Sequence, residues 1–409
     1  MPCHTTDRCR YKTAYRPRLT TIFLCLLGLA LLPSALCRVG AESRHRDATT
    51  QEAVPVAIGF HLGQAYATSV AHFSNGTVIN LAKVPAGDEY TALMERMVRQ
   101  PAPQDRPGRL QSLWRLLMRT LRMPPSKDAA VLVRVAAALK AESEAALDGR
   151  AIDSAAVTAP WMAAWDGQVA SNSIINDVLV LVGIEPVSWE DSHPIYLGET
   201  NSLLAANKRR LCVDRWCGVG SGLSEQGAVA FLISFTNQSL HTSFQIARCF
   251  YSDSWDNHLS TIDPRYGLDK LKESEPPQDF WDSVRERLLE QVAEHARRHS
   301  VHSDLPFLVL VAGEAATEPD FTDVLQEVVK SIPDVRVTSG GEQTGDIRRQ
   351  QGTERQPEVE LIIPDDPTFA AARGAAFWMW VRLEGSYCDE WCAANPGECM
   401  SQYDAHDEL

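Results

Sequence analysis

The fold of this chain can be read outward from residues 56–84, VAIGFHLGQAYATSVAHFSNGTVINLAKV. An apolar strand over Val56–Ile58 leads into a glycine turn, Gly59-Phe60-His61-Leu62-Gly63, and a second strand over Tyr66–Ala71 follows. Ser74-Asn75-Gly76 then has the composition of a hairpin turn before a third strand over Thr77–Leu81. This succession of strand, turn and strand differs from a Walker phosphate loop, which runs from a strand into a helix.

The segment resembles the first phosphate hairpin of the actin-like ATPases, most closely that of the 70-kDa heat-shock chaperones, which reads I-G-I-D-L-G-T-T-Y-S. Later segments resemble the same family in the same order, namely Leu139–Glu142, Ala155–Pro160, Gly183–Val187, Glu199–Ala206 and Pro364–Ala376. The resemblance covers about residues 54–384. It implies an α/β, two-lobed actin-like ATPase (ribonuclease-H-like) fold with mixed sheets flanked by helices. Nothing in the sequence resembles the family's peptide-binding domain.

The resemblance and the composition together predict the following division: a signal peptide 1–41, a linker 42–53, lobe I 54–207, lobe II 208–384 with a mobile insertion 339–358, and a cysteine-containing tail 385–409. The insertion is polar and rich in glycine, glutamine and charge, which is typical of mobile segments.

Both ends of the chain have the character of targeting signals. A basic segment precedes the apolar run Ile22–Leu32, which is shorter than the about 20 residues of a membrane span and is followed by small residues. An uncleaved signal anchor is the alternative. The last residues, His406-Asp407-Glu408-Leu409, form an endoplasmic-reticulum retrieval tetrapeptide. We therefore expect a protein of the reticulum lumen, with a retrieval receptor as partner and no stable membrane span after signal cleavage.

Composition narrows the function classes. The net charge of −14 argues against non-specific nucleic-acid binding, which requires a basic surface. The cysteines beyond the signal are disulfide candidates in an oxidising compartment, and their pairing stays open: Cys212, Cys217, Cys249, Cys388, Cys392 and Cys399. Their spacing supplies neither a Cys-x-x-Cys redox motif nor a zinc pattern.

The resemblance implies a nucleotide cleft, but the first hairpin departs from the pattern on which phosphate chemistry depends. The family's aspartate corresponds to His61, and its two threonines correspond to Gln64 and Ala65. Imidazole is a poor ligand for Mg²⁺, which prefers oxygen. The remaining members of this candidate cleft, Gly59, Leu62 and Gly63, keep the family pattern. We interpret His61 as a turn residue without a chemical role.

The second phosphate hairpin, D-L-G-G-G-T-F-D in the family, corresponds to Ser234–His241, where side chains replace every glycine. A Cβ at such positions blocks the approach of the backbone to phosphate. In the segment that corresponds to the family's adenosine-contacting motif, Gly313 is kept and is followed by the carboxylate of Glu314. Elsewhere in the chain, Glu199 is the one acid that matches the family's metal–water network. The sequence thus predicts a degenerate cleft with no catalytic residue, no metal and no nucleotide, with ATP or ADP binding as the alternative.

Two N-glycosylation sequons are present, at Asn75 in the first hairpin turn and at Asn237 in the second phosphate hairpin. A glycan at Asn237 is hard to reconcile with a closed phosphate cleft. The sequence therefore predicts a glycoprotein.

Residues Arg109–Arg122, RLQSLWRLLMRTLR, form an amphipathic helix whose apolar stripe comprises Leu110, Leu113, Trp114, Leu117 and Leu121. We expect the stripe to pack on its own domain while the arginines face solvent. A membrane-surface helix is the alternative.

Three functions remain open. The first is a non-hydrolysing scaffold (a pseudo-ATPase) that acts in protein folding, with the lumenal full-length chaperone or its co-chaperones as partner. The second is an enzyme, either a divergent ATPase or a sugar-kinase-like phosphotransferase, which would need an acidic base and glycine-rich loops. The third is a lumenal structural or glycoprotein-maturation factor unrelated to nucleotide.

Overall fold

The computed structural model describes residues 55–100, 109–162, 174–186, 196–209, 227–247, 255–299, 305–340 and 358–383, together with residue 393. The first sheet contains β1 (Pro55–Leu62), β2 (Tyr66–Phe73), β3 (Val78–Pro85), β4 (Ser154–Ala159), β5 (Glu185–Pro186) and β6 (Leu197–Gly198). Its order is β3-β2-β1-β4-β5, and β6 also pairs with β4. The first three strands are antiparallel, whereas β4 is parallel to β1.

The second sheet repeats this arrangement. It contains β7 (Ala228–Phe235), β8 (Leu240–Ala247), β9 (Trp255–Asp263), β10 (Phe307–Ala312) and β11 (Val359–Ile362) in the order β11-β10-β7-β8-β9. Again an antiparallel three-strand meander is followed by strands parallel to its first member. Two mixed sheets of the same topology, flanked by helices, confirm the predicted fold class.

The helices are α1 (Gly87–Val98), α2 (Arg109–Thr120), α3 (Lys127–Ala146), α4 (Ile174–Val182), α5 (Glu199–Ala206), α6 (Pro277–Arg298), α7 (Pro319–Gly340) and α8 (Ala370–Leu383). Side chains of α1, α3 and α4 share a core with the first sheet, and those of α6 and α7 share one with the second sheet. Both α5 and α8 contribute to apolar clusters with strands of each sheet. These two helices therefore form the layer between the sheets, and the last helix contacts β1, β2 and β4 of the first.

The expected glycine turn from Gly59 to Gly63 is wrong, because β1 continues to Leu62 and the turn begins only at Gly63. Gly59 serves helix packing instead. A Cβ built on it would lie 2.1 Å from the carbonyl oxygen of Ala372 in α8. Gly374 of α8 allows a second close approach, because a Cβ on it would lie 1.7 Å from the carbonyl oxygen of Ser202 in α5. The backbone of α8 thus lies directly against the backbones of β1 and α5.

The expected orientation of α2 is also wrong. Its apolar stripe is exposed, with Leu110 at 83% and Leu113 at 62% relative accessibility. Arg115 and Arg119 instead face inward and pair with Asp177 of α4, whose side chain is fully buried. A buried carboxylate requires charged partners, and this requirement decides which face of the helix turns inward.

Several sequence-based expectations fall outside the described residues: the signal peptide, every disulfide candidate, the retrieval tetrapeptide, and residues 341–357 of the insertion. Residues 339–340 end α7. Within the described ranges, no helix has the length and apolar character needed to cross a membrane.

Candidate functional site

The predicted cleft lies where the β1–β2 hairpin of the first sheet meets the β7–β8 hairpin of the second. The first turn forms because the Gly63 N–H donates to the Tyr66 carbonyl at 3.0 Å. The second forms because the Thr236 N–H donates to the Ser239 carbonyl at 3.0 Å, and the Thr236 hydroxyl donates to the same oxygen at 2.9 Å. Side-chain bonding therefore closes a turn that the family builds from glycines.

A histidine–glutamate–histidine cluster joins the two sheets at this point. Glu199 is the first residue of α5; its Oε1 lies 3.4 Å from His61 Nε2 on β1, and its Oε2 lies 3.4 Å from His241 Nδ1 on β8. The other ring nitrogen of His241 lies 3.5 Å from the hydroxyl of Ser260 on β9. All three members of the cluster are at most 2% exposed. His61 therefore lies within a strand and beside Glu199, and its interpretation as a turn residue is wrong.

The cluster keeps Glu199 ionised. Burial by itself would raise the pKa of this carboxyl, but the charges and hydrogen bonds of His61 and His241 lower it to about 2. The buried anion acts in turn on two phenols: burial first, and then the charge of Glu199, raise the pKa values of Tyr66 and Tyr90. The Tyr90 hydroxyl of α1 donates to the Gly63 carbonyl at 2.8 Å, and this hydrogen bond fixes the first turn to α1.

Gln64 crosses directly from one hairpin to the other. Its Nε2 donates to the carbonyl oxygen of Ser234 on β7 at 2.9 Å, and both residues are at most 2% exposed. A further hydrogen bond reaches the second turn from the first half of the chain, because the Thr91 hydroxyl of α1 donates to Oε1 of Gln238 at 2.7 Å. Leu62 at the end of β1 and Ala65 in the turn are both buried. A side-chain hydrogen bond therefore joins the two hairpins at this point.

Gly313 and Glu314 follow β10 at the edge of this junction. Gly313 has a φ of +103°, and a Cβ on it would lie 2.0 Å from the carbonyl oxygen of Phe235, so the position requires glycine. Glu314 forms an ion pair with Lys83 of β3 and accepts from the backbone N–H of Asn237 at 3.3 Å. The carboxylate thus links the first sheet to the turn of the second.

The two sequons lie in different settings. Asn75 is exposed in the β2–β3 turn, where its Oδ1 accepts from the Thr77 N–H at 3.0 Å. Asn237 is also exposed, but Ser239 of its sequon is fully buried. Glycosylation at both positions stays a prediction.

Each member of the histidine–glutamate–histidine cluster is enclosed, at most 2% exposed. Among the side chains that the structure describes, no group of three or more His, Cys, Asp or Glu is arranged to hold a metal ion. Sequence reasoning identified Glu199 and Glu314 but missed their partners, His241 and Lys83. The histidine at the end of the second hairpin, in the place of a family aspartate, was the signal that could have pointed to the first pair.

No protein-family model and no curated protein matches this sequence. Among solved structures, the ethanolamine utilization protein EutJ from Carboxydothermus hydrogenoformans is similar over 79% of this chain and 89% of EutJ. The sequence identity is 12% and the TM-score is 0.38. Similarity at this level assigns no activity, and the fold assignment rests on the strand order repeated in the two sheets.

Proposed function

We propose that this protein is a non-hydrolysing scaffold: an actin-like fold whose two halves are held together by its own side chains in place of nucleotide and Mg²⁺. The observation that carries the proposal is the enclosed cluster of His61, Glu199 and His241. It occupies the junction at which the resembled family gathers metal, water and phosphate.

Sterics support this proposal. A phosphate group brought to this junction would have to displace Gln64 from its hydrogen bond to Ser234. The second turn offers the side chains of Asn237 and Gln238 where backbone N–H groups would need to approach phosphate closely.

We further propose that the scaffold works in the lumen of the endoplasmic reticulum, in protein folding. The apolar run Ile22–Leu32 and the terminal His406-Asp407-Glu408-Leu409 support the address. The segments that resemble the 70-kDa heat-shock chaperones support a link to folding. A full-length chaperone of the same compartment, or one of its co-chaperones, is the partner that this address and likeness favour.

Nucleotide titration tests the scaffold directly. ATP and ADP are titrated calorimetrically, with and without Mg²⁺, into full-length protein purified from cells in which it passes through the secretory pathway. We expect no heat and no change in melting temperature up to millimolar nucleotide. Micromolar binding would overturn the proposal in favour of a divergent ATPase, and hydrolysis would then be measured.

The variant Asn237→Gln is the matched control for this titration. If neither the wild type nor Asn237→Gln gives heat on titration with nucleotide, the packed side chains account for the absence of binding. Binding by the variant alone would mean that a glycan, and not the enclosed cluster, keeps nucleotide out.

A further inference from the structure

The two N-glycosylation sequons differ in the exposure of the hydroxyl group that defines a sequon. Asparagine becomes an acceptor only when serine or threonine follows two residues later, so the enzyme that transfers the glycan must contact that hydroxyl. Thr77, which completes the sequon of Asn75, is exposed. Ser239, which completes the sequon of Asn237, is 0% exposed, although Asn237 itself is exposed. The folded protein therefore presents a complete acceptor at Asn75 and an incomplete one at Asn237.

The hydroxyl of Ser239 is enclosed by the turn to which it belongs. The Ser239 N–H donates to Oγ1 of Thr236 at 3.0 Å, and the Thr236 hydroxyl donates to the Ser239 carbonyl at 2.9 Å. The two hydroxyl oxygens lie 3.5 Å apart. Bringing the Ser239 hydroxyl to an enzyme would therefore require the turn to open.

Two later segments of the chain hold the backbone of this turn. The Asp269 N–H donates to the Asn237 carbonyl at 2.9 Å. A Cβ on Gly267 would lie 2.3 Å from the carbonyl carbon of Gln238, so the backbone there lies directly against the turn. The carboxylate of Glu314 accepts from the Asn237 N–H at 3.3 Å. These contacts fix the sequon in the folded protein.

The same contacts are absent when the sequon has just been synthesised. Gly267 follows Asn237 by about 30 residues, and Glu314 follows it by 77. At about 5–20 residues per second, a ribosome needs about 1.5–6 s to add the first 30 of these residues. A hairpin without its neighbours is marginally stable at best, so the Ser239 hydroxyl is accessible during this interval.

We propose that Asn237 accepts an N-linked glycan only before the β7–β8 hairpin closes, whereas Asn75 accepts one both before and after folding. The donor is an oligosaccharide carried on a polyprenyl diphosphate. Nδ2 of the asparagine loses a proton and forms a bond to the anomeric carbon of the first sugar. The bond from that carbon to the diphosphate breaks, and the polyprenyl diphosphate leaves.

The consequence for the protein is a pair of glycoforms. A glycan attached early is compatible with the closed turn, because the side chain of Asn237 is exposed in it. Both forms therefore carry the glycan at Asn75 and differ at Asn237, where transfer competes with hairpin closure. In cells this competition rests on the lumenal address that we propose above.

Glycan transfer by purified oligosaccharyltransferase tests this order of events. Full-length protein is made in cells that lack N-glycosylation and is supplied with lipid-linked oligosaccharide, either folded or diluted from urea directly into the reaction. The change Lys272→Asn provides a matched control, because it creates a third sequon that also ends in a serine, the partly exposed Ser274. Mass spectrometry measures the occupancy of each site.

In the folded protein we expect transfer to Asn75 and to position 272, and at least about tenfold less to Asn237, because its hydroxyl is reached only by local opening. On dilution from urea, Asn237 should also be modified. Transfer to Asn237 and position 272 at equal rates in the folded protein would overturn the proposal. So would a folded protein in which no site is modified.

A second variant removes the dependence on the speed of refolding. In Gly267→Val the new side chain would overlap the backbone of Gln238, so the turn cannot close against this segment. We expect transfer to Asn237 in this variant without urea. If Asn237 stays unmodified both here and on dilution from urea, hairpin closure is not what protects it and the proposal fails. These reactions use purified components, so their outcome is independent of nucleotide binding and of the compartment, and the scaffold proposal is tested separately.

Discussion

At the scale of single residues, the contact between Glu199 and His61 leads to a direct prediction about the free energy of unfolding. The change His61→Gln should lower the free energy of unfolding, because the enclosed carboxylate of Glu199 keeps its charge but loses the imidazole nitrogen that lies 3.4 Å from its Oε1 and helps to lower its pKa. In a Glu199→Gln background the same change should matter less, with a coupling energy of about 0.5–3 kcal/mol. Urea unfolding of the two single variants and the double variant measures this coupling. Additive effects would mean that the two side chains act independently.

The same carboxylate sets a dependence on pH. The pKa of Glu199 is about 2 in the folded protein against 4.5 for an ordinary glutamate, so its ionised form stabilises the fold above pH 4.5. That contribution disappears as the pH falls from 4.5 toward 2. Wild type should therefore lose more unfolding free energy than Glu199→Gln when the pH is lowered through this window. Parallel pH profiles of the two proteins, measured by urea unfolding, would contradict the assignment.

At the scale of elements, the position of α8 depends on the absence of side chains at two glycines. The change Gly374→Ala should destabilise the fold by about 1–3 kcal/mol, because the new methyl group would overlap the Ser202 carbonyl of α5. Gly76→Asn is the control. It adds a larger side chain where no heavy atom lies within 4 Å, at a φ of +80° that asparagine tolerates. Thermal unfolding compares the two, and equal losses would mean that α8 can shift freely.

A second prediction for an element concerns the helix α2. Asp177→Asn should lower the free energy of unfolding by about 1.5–3 kcal/mol, because it removes the charge from the group that accepts hydrogen bonds from Arg115 and Arg119. Leu113→Glu with Leu117→Glu should change it by less than about 0.5 kcal/mol per residue, since both leucines face solvent. Urea unfolding distinguishes the two cases. The opposite order of effects would mean that α2 packs through its leucines.

At the scale of the whole molecule, we expect the two sheets to unfold as one cooperative unit because the junction joins them. Amides of β1 and β7 should exchange hydrogen with the same opening free energy, because Gln64 and Glu199 join the two hairpins. Gln64→Ala should lower the protection of β7 at low urea, whereas the exposed Gln278→Ala should leave it unchanged. Exchange of β1 and β7 at clearly different opening free energies in wild type would show that the halves unfold separately.

Much of the fold was predictable because its signals are local. Apolar periodicity predicted the strand over Tyr66–Ala71 and the helix over Arg109–Arg122, and the structure has these elements at Tyr66–Phe73 and Arg109–Thr120. The Ser74-Asn75-Gly76 turn is confirmed between β2 and β3, with Gly76 at a φ of +80°. Turn chemistry and periodicity involve residues that are neighbours in the chain, so one segment contains the whole signal.

The sequence by itself therefore determined the fold class, the turn at Ser74-Asn75-Gly76 and those strands and helices whose apolar residues recur at a regular spacing. Only the tertiary structure decided which side chains meet between the two sheets. Glu199 stays ionised because β1 and β8 place His61 and His241 next to its carboxylate. The leucines of α2 face solvent because the arginines on its opposite side pair with the buried Asp177. Both outcomes depend on enclosed charges whose partners are far away in the chain. The cost of an unpaired buried charge is large enough to override the pattern of any one segment.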